Sequence, residues 1–229
     1  MKIGIIAAME QELQLLKQAV PNLKESVILG HTYYTGRISG HELVLVQSGV
    51  GKVMSAMSVA VLVNSFSVEA IINTGSAGAV AKDLEIGDIV IANCLAYHDV
   101  DLTAFGYAYG QMSAQPLYFK TSEQFVSIFK EALERNHKTY KIGLITTGDS
   151  FIAGQDKIDQ IKKHFPEVLA VEMEGAAIAQ ACYSLNIPCM VVRAMSDTAE
   201  HDANITFDEF IIQAGQQSAQ VLLKFLEIL

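Results

Sequence analysis

Hydrophobic residues fall along the chain in two alternating patterns. Short apolar runs, the pattern of strands buried on both faces, occur at Lys2–Ala7, Glu69–Thr74, Asp88–Ala96, Tyr140–Thr146, Val168–Glu172 and Cys189–Ala194. Between them lie segments with helical spacing. Leu13, Leu16 and Val20 recur through Glu10–Val20, and Lys52–Phe66 is rich in Ala, Val and Met. Thr121–His137, Lys157–His164 (stopped by Pro166) and Gly175–Leu185 follow. In Phe207–Leu229 the apolar positions Phe210, Ala214, Val221 and Phe225 share one face with Phe207. Thr121 with Gln124, and Thr206 with Glu209, have the spacing of capping boxes. Val27–Ile38 and Glu42–Gln47 read as two strands joined by a turn at Ser39-Gly40-His41. His98–Gln115 has no clear period and reads as a loop. Strands alternating with helices predict an α/β fold with a mixed, largely parallel sheet, in a single domain over residues 1–229.

Composition narrows the function. Of 229 residues, 51% are hydrophobic and 18% charged, which excludes a disordered chain. A net charge of −9 argues against duplex nucleic acid or an anionic membrane as partner, because phosphates are neutralised by clustered Lys and Arg. The uncharged, apolar run between Lys52 and Glu69 is too short and too rich in Ser and Asn to span a bilayer. The apolar stretch before Met9 reads as a first strand rather than a signal peptide. Three cysteines, Cys94, Cys182 and Cys189, without zinc-ligand spacing, fit a reduced, cytoplasmic compartment.

In open α/β sheets ligands gather at the carboxyl ends of strands, and here those ends are unusual. Ser48-Gly49-Val50-Gly51-Lys52 matches neither a dinucleotide fingerprint, since position 54 is Met, nor a P-loop, since position 53 is Val. The glycines of the small-residue loop NTGSAGA, Gly75 and Gly78, serve either a turn or the close approach of a ligand. Glu172, Met173 and Glu174 end an apolar strand, so one of the two acids is expected to be buried and in need of partners. Glu174 suits either a helix N-terminus or a ligand carboxylate gripping a ribose diol. Asp197 suits a cap or turn as well as an acid, and Glu12 suits a solvated first helical turn as well as a base. The histidines show no metal-binding spacing, and no serine sits in a G-x-S-x-G elbow.

Taken in order, IGIIAAMEQEL, NTGSAGA, TGDSFIAG, VEMEGAAIAQ and VRAMSDTA resemble the bacterial 5′-methylthioadenosine/S-adenosylhomocysteine nucleosidases, and the likeness runs over the whole chain. The resemblance implies the fold of the nucleoside phosphorylase superfamily, an α/β/α sandwich around a mixed, partly barrel-like sheet. It implies hydrolysis of the N-glycosidic bond of 5′-methylthioadenosine and S-adenosylhomocysteine, with 5′-deoxyadenosine as a further substrate, and neither metal nor organic cofactor. By motif, Glu12 resembles the base that activates water and Asp197 the acid that protonates adenine N7. Glu174 resembles the acceptor of the ribose hydroxyls, with Met173 on the sugar. Phe151 and Ile152 resemble the adenine clamp, and Ser76 and Arg193 the shell around the water and Glu12. Met9, Val50 and Gly78 line the sugar, and Phe207 borders the 5′-thio pocket. The family is a homodimer, and a loop matching Leu102–Phe105 closes the partner's pocket.

Two rivals differ in chemistry. A phosphorolytic purine nucleoside phosphorylase would want a cationic pocket. Its relatives carry an Arg two residues before the Gly-Ser of the GSxGA loop, where this chain has Asn73. A catalytically inactive nucleoside-binding protein on the same fold would lose the acid or the base, whereas Glu12, Glu174 and Asp197 are all present.

Overall fold

The computed structural model describes residues 1–197 and 203–229, the side chains of 203–209 excepted. In chain order the strands are β1 Lys2–Ala7, β2 Lys24–Ile28, β3 His31–Ile38, β4 His41–Gln47, β5 Ala70–Ala79, β6 Ile89–Tyr97, β7 Phe119–Lys120, β8 Tyr140–Thr147, β9 Val168–Glu172 and β10 Cys189–Asp197. The helices are α1 Glu10–Ala19, α2 Lys52–Phe66, α3 Glu123–Arg135, α4 Gln155–His164, α5 Gly175–Leu185 and α6 Ala203–Ile228.

One mixed sheet runs β10-β6-β8-β9-β5-β1-β4-β3-β2, and β10 also pairs with β5. That second pairing closes β10, β6, β8, β9 and β5 into a ring, from which β1, β4, β3 and β2 extend as an open wing. The fold is therefore α/β with a partly closed, barrel-like sheet. β1 is parallel to both β4 and β5, and β10 is parallel to β5. These inner strands are the ones with unbroken apolar runs, as burial on both faces requires.

Helices cover the sheet on two sides. Val59 and Leu62 of α2 and Ala177 and Ile178 of α5 share a core with Ile71 and Val191. On the other face Leu13, Leu16, Phe129, Leu222 and Phe225 of α1, α3 and α6 pack on Ile3, Ile5, Ile72 and Met190. Ile158 and Ile161 of α4 close the ring's flank against Val80, Leu144 and Val168. Among the described residues no helix is long and apolar enough to cross a membrane.

Several local expectations are corrected. Val27–Ile38 is not one strand: it breaks at Leu29 and Gly30, with φ of 50° and 81°, into the hairpin β2–β3. The GSAGA segment is not a loop, because β5 continues through it to Ala79 along β10. Ser122, not Thr121, caps α3, its Oγ accepting the Phe125 N–H at 3.3 Å, while the Thr121 hydroxyl donates to Ala92 O. The last helix starts at Ala203, so a capping box at Thr206 does not stand at its beginning. The His98–Gln115 excursion is irregular, as expected, apart from a short 3₁₀ turn at Thr103–Phe105.

Candidate active site

A cavity of about 240 Å³ opens where strand ends converge. Ala8, Met9 and Glu12 come from the β1–α1 junction, Val50 from the segment after β4, and Ser76, Ala77 and Gly78 from β5. Ser150, Phe151 and Ile152 come from the loop after β8, Val171 to Glu174 from the end of β9, and Ser196 and Asp197 from the end of β10. The structure thus brings Glu12, Asp197, Glu174, Met173, Gly78, Ile152, Phe151, Ser76, Met9 and Val50 together around one space. A largely apolar cleft with a few converging polar groups is the usual form of a small-molecule site.

Glu12 occupies the first turn of α1 and reaches back to the chain that leads into it. Its Oε2 accepts the N–H groups of Ala8 and Met9 at 3.0 and 3.1 Å. Its Oε1 accepts the N–H and the hydroxyl of Ser76 at 2.9 and 3.0 Å. The solvated reading of Glu12 is excluded, since the residue is 3% exposed. Gly75 makes this possible, because a Cβ there would stand 2.8 Å from Glu12 Oε1. Asp197, 2% exposed at the last position of β10, accepts the Ser196 hydroxyl at 2.9 Å.

Both acids of the Glu-Met-Glu segment are buried, where only one was expected. They do different things. Glu172 Oε2 accepts the N–H groups of Glu174 and Gly175 at 3.0 and 2.7 Å and pairs with Arg193 at 2.6 Å, while Thr147 donates to its Oε1. It thereby serves the amides at the start of α5, the role considered for Glu174. Glu174 lines the cavity and accepts the Gly51 N–H at 2.9 Å. Burial, and then the charge of Glu172, push its carboxyl up to about 8, although Arg193 and the Gly51 amide pull the other way.

Arg193 does not line the cavity. Its guanidinium is 1% exposed and bonds to Glu172, to Asn73 Oδ1 and to Val192 O rather than to Glu12. Burial alone would lower its pKa, but the carboxylates of Glu172, Glu174 and Glu12 outweigh that and leave it raised. The role of Glu172 as the arginine's partner escaped sequence reading. The available signal was a second acid in the Glu-Met-Glu segment and a lone arginine on a strand.

Leu102 and Phe105 also lie away from the cavity within this chain, and Phe105 is 80% exposed. The Phe207 side chain lies outside the described residues. No lysine or arginine is among the described residues lining the cavity, and none of the described His, Cys, Asp and Glu residues cluster as a metal site.

A sheet ring of this kind, with four buried carboxyl groups around one cavity, defines an α/β enzyme of nucleoside-phosphorylase type, and comparison with known proteins agrees. The phosphorylase superfamily matches residues 2–227. The 5′-methylthioadenosine/S-adenosylhomocysteine nucleosidase of Lysinibacillus sphaericus is 44% identical over 225 residues, covering 98% of each chain. The crystal structure of the S-adenosylhomocysteine nucleosidase of Streptococcus pyogenes in complex with 5-methylthiotubericidin superposes with a TM-score of 0.97. It is 66% identical, over 99% of this chain and 96% of that one. The Streptococcus pneumoniae 5′-methylthioadenosine/S-adenosylhomocysteine nucleosidase with a transition-state inhibitor gives a TM-score of 0.97 at 65% identity, covering 100% and 99%. This chain belongs to the phosphorylase superfamily and, within it, to the family of 5′-methylthioadenosine/S-adenosylhomocysteine nucleosidases.

Proposed function

We propose that this protein hydrolyses the N-glycosidic bond of 5′-methylthioadenosine and S-adenosylhomocysteine, releasing adenine and the 5-thioribose sugar. 5′-Deoxyadenosine, which differs only at the 5′ substituent, is a further substrate. The observation that carries the reading is the convergence of Glu12, Glu174 and Asp197 on one mainly apolar cavity, where the fourth buried acid, Glu172, is paired with Arg193, and where the described lining holds no lysine or arginine.

Ribosyl transfer to water leaves positive charge on the sugar and negative charge on the departing base. A pair of carboxyl groups meets both needs, one holding a proton and one accepting one. Glu12 takes a proton from water as its oxygen bonds to C1′. The C1′–N9 bond breaks, its electron pair goes to the adenine, and Asp197 delivers a proton to N7. Each group contributes on the order of 10²–10⁴-fold. Glu174 accepts the ribose hydroxyls beside the oxocarbenium-like carbon, and Met173, Met9, Val50 and Gly78 enclose the sugar. Phe151 stacks on the adenine, and the backbone of Ile152 bonds its edge. Ser76 orients Glu12 directly. Arg193 acts one layer out by holding Glu172.

The working unit in this reading is a homodimer in the cytoplasm, with the Leu102–Phe105 segment of one copy closing the alkylthio end of the other's cavity. The exposed Phe105 supports that placement. Purified protein in phosphate-free buffer releases adenine from both thio-nucleosides, followed by absorbance, and Glu12→Gln reduces turnover at least ~10²-fold while still binding a nucleoside analogue. Absence of adenine release from the native protein would refute the reading.

A further inference from the structure

The loop that carries Phe151 is anchored by a charge cluster outside the cavity. Asp149 stands two residues before Phe151. Its Oδ1 accepts the Lys52 N–H at 2.9 Å, in the first turn of α2, and its Oδ2 lies 3.5 Å from Lys52 Nζ. The same ammonium donates to both Asp99 oxygens, at 2.9 and 2.7 Å, and sits 5.3 Å from the centroid of the Tyr97 ring. Asp99 Oδ2 in turn accepts the backbone N–H of Asp149 at 2.9 Å. The end of β6, the start of α2 and the loop after β8 therefore meet on one ammonium group.

Sterics fix the root of that loop as well. A Cβ at Gly148 would run into the His98 ring and come within 3.1 Å of Asp99 Cγ, so only glycine lets the chain pass there. The neighbouring amide of α2 completes the linkage. Gly51 N–H is held by Glu174 and Lys52 N–H by Asp149, so adjacent peptide units tie the cavity carboxylate to the aromatic loop.

We propose that Lys52, Asp99 and Asp149 are positioning residues that set the Ser150–Ile152 loop against Glu174 and so govern how tightly the base half of the nucleoside is held. The proposal rests on the nucleosidase reading above. Two carboxylates share this site because the ammonium neutralises them, with the Lys52 amide at the start of α2 on Asp149 and the Asp149 amide on Asp99. Without the ammonium, Asp99 and Asp149 face each other as like charges and the loop moves outward.

The test measures the dissociation constant of free adenine by calorimetry, with kcat and KM for methylthioadenosine, in Lys52→Met and Asp149→Ala. Asp149 is half exposed, so its truncation leaves the core intact. Both variants weaken adenine binding and raise KM about 10-fold, with kcat within about 3-fold of wild type, and Lys52→Arg restores adenine binding to within about 3-fold. A merely structural role lowers the melting temperature and leaves the adenine constant of the folded protein unchanged. Wild-type adenine affinity in both folded variants overturns the proposal. Wild-type protein that fails to bind adenine overturns the nucleosidase reading, and the proposal with it.

Discussion

Glu12 and Asp197 are both carboxylic acids buried beside one cavity, and the proposed mechanism gives them opposite tasks. Glu12 is held by four donors, two from the chain before α1 and two from Ser76 of β5, which leaves its carboxylate no freedom to turn. Asp197 ends a strand and has a hydroxyl neighbour, Ser196, through which a proton can be passed. Asp197→Asn keeps the shape of the site and removes the acid. It lowers turnover of methylthioadenosine by at least ~10²-fold. A synthetic nucleoside whose leaving group departs without protonation is affected far less, and equal losses on the two substrates would remove the general-acid role. Glu174 makes a separate prediction about stability. Its carboxyl is raised to about 8 in the folded protein from an ordinary 4.5, so between those values the native state holds a proton that the unfolded chain has lost. The stabilisation is complete below the unfolded value and disappears as pH rises through the folded one. Stability of the unliganded protein thus falls by up to about 1.4 kcal/mol per pH unit over that window. Glu174→Gln flattens this slope, and an unchanged pH profile of the denaturation midpoint in that variant contradicts the assignment.

Elements present these residues through their ends. The first turn of α3 is closed by Ser122, whose backbone N–H also binds Cys189 O at the start of β10. Ser122→Ala costs about 1 kcal/mol in a denaturant titration, the usual worth of an N-cap, and leaves kcat/KM unchanged because α3 does not border the cavity. The inner strands and most helices were legible in the sequence because burial on both faces demands an unbroken apolar run, as in β1 and β9. The edge was not. β2 is exposed and carries Lys24, Glu25 and Ser26, so it lacks any apolar alternation, and the Leu29-Gly30 turn lay hidden inside what read as one strand. The GSAGA segment read as a loop because small residues show no alternation. Their smallness serves Glu12, whose carboxylate presses on Gly75. Thr121 and Ser122 are adjacent hydroxyls, and only the packing of Thr121 onto Ala92 O decides between them. The acidic strand ends were legible as candidate site residues because a charge that ends an apolar run needs a reason, and they line the cavity. Which acid Arg193 would choose was not, since residues 21 apart in sequence meet only when β9 and β10 close around β5.

At the scale of the whole molecule, the ring of strands leaves α2, α5 and the segment after β6 with apolar groups facing outward. Val53 is 68% exposed, and Phe105, Met57 and Tyr183 are exposed as well. Such side chains are costly to leave in water as a patch, and the proposed homodimer would cover them with a second copy of the chain. Sedimentation at micromolar concentration gives about twice the chain mass of 24.9 kDa, and a monomer with full activity contradicts the homodimer. A phosphate dianion brought beside the Glu12 carboxylate meets repulsion on the order of 8 kcal/mol at ~4 Å and an effective dielectric of ~20. The nearby arginine is already bonded to Glu172 and Asn73, and Lys52 to Asp99. Water needs only a base and hydrogen-bond partners, the roles that the proposed mechanism gives to Glu12 and Ser76. The direct measurement is mass spectrometry of the sugar product formed in ¹⁸O-labelled water, with and without added phosphate. Free methylthioribose carrying solvent oxygen at C1, formed at a rate that phosphate does not raise, is the expected result. A sugar 1-phosphate, or strict dependence of turnover on phosphate, would contradict it.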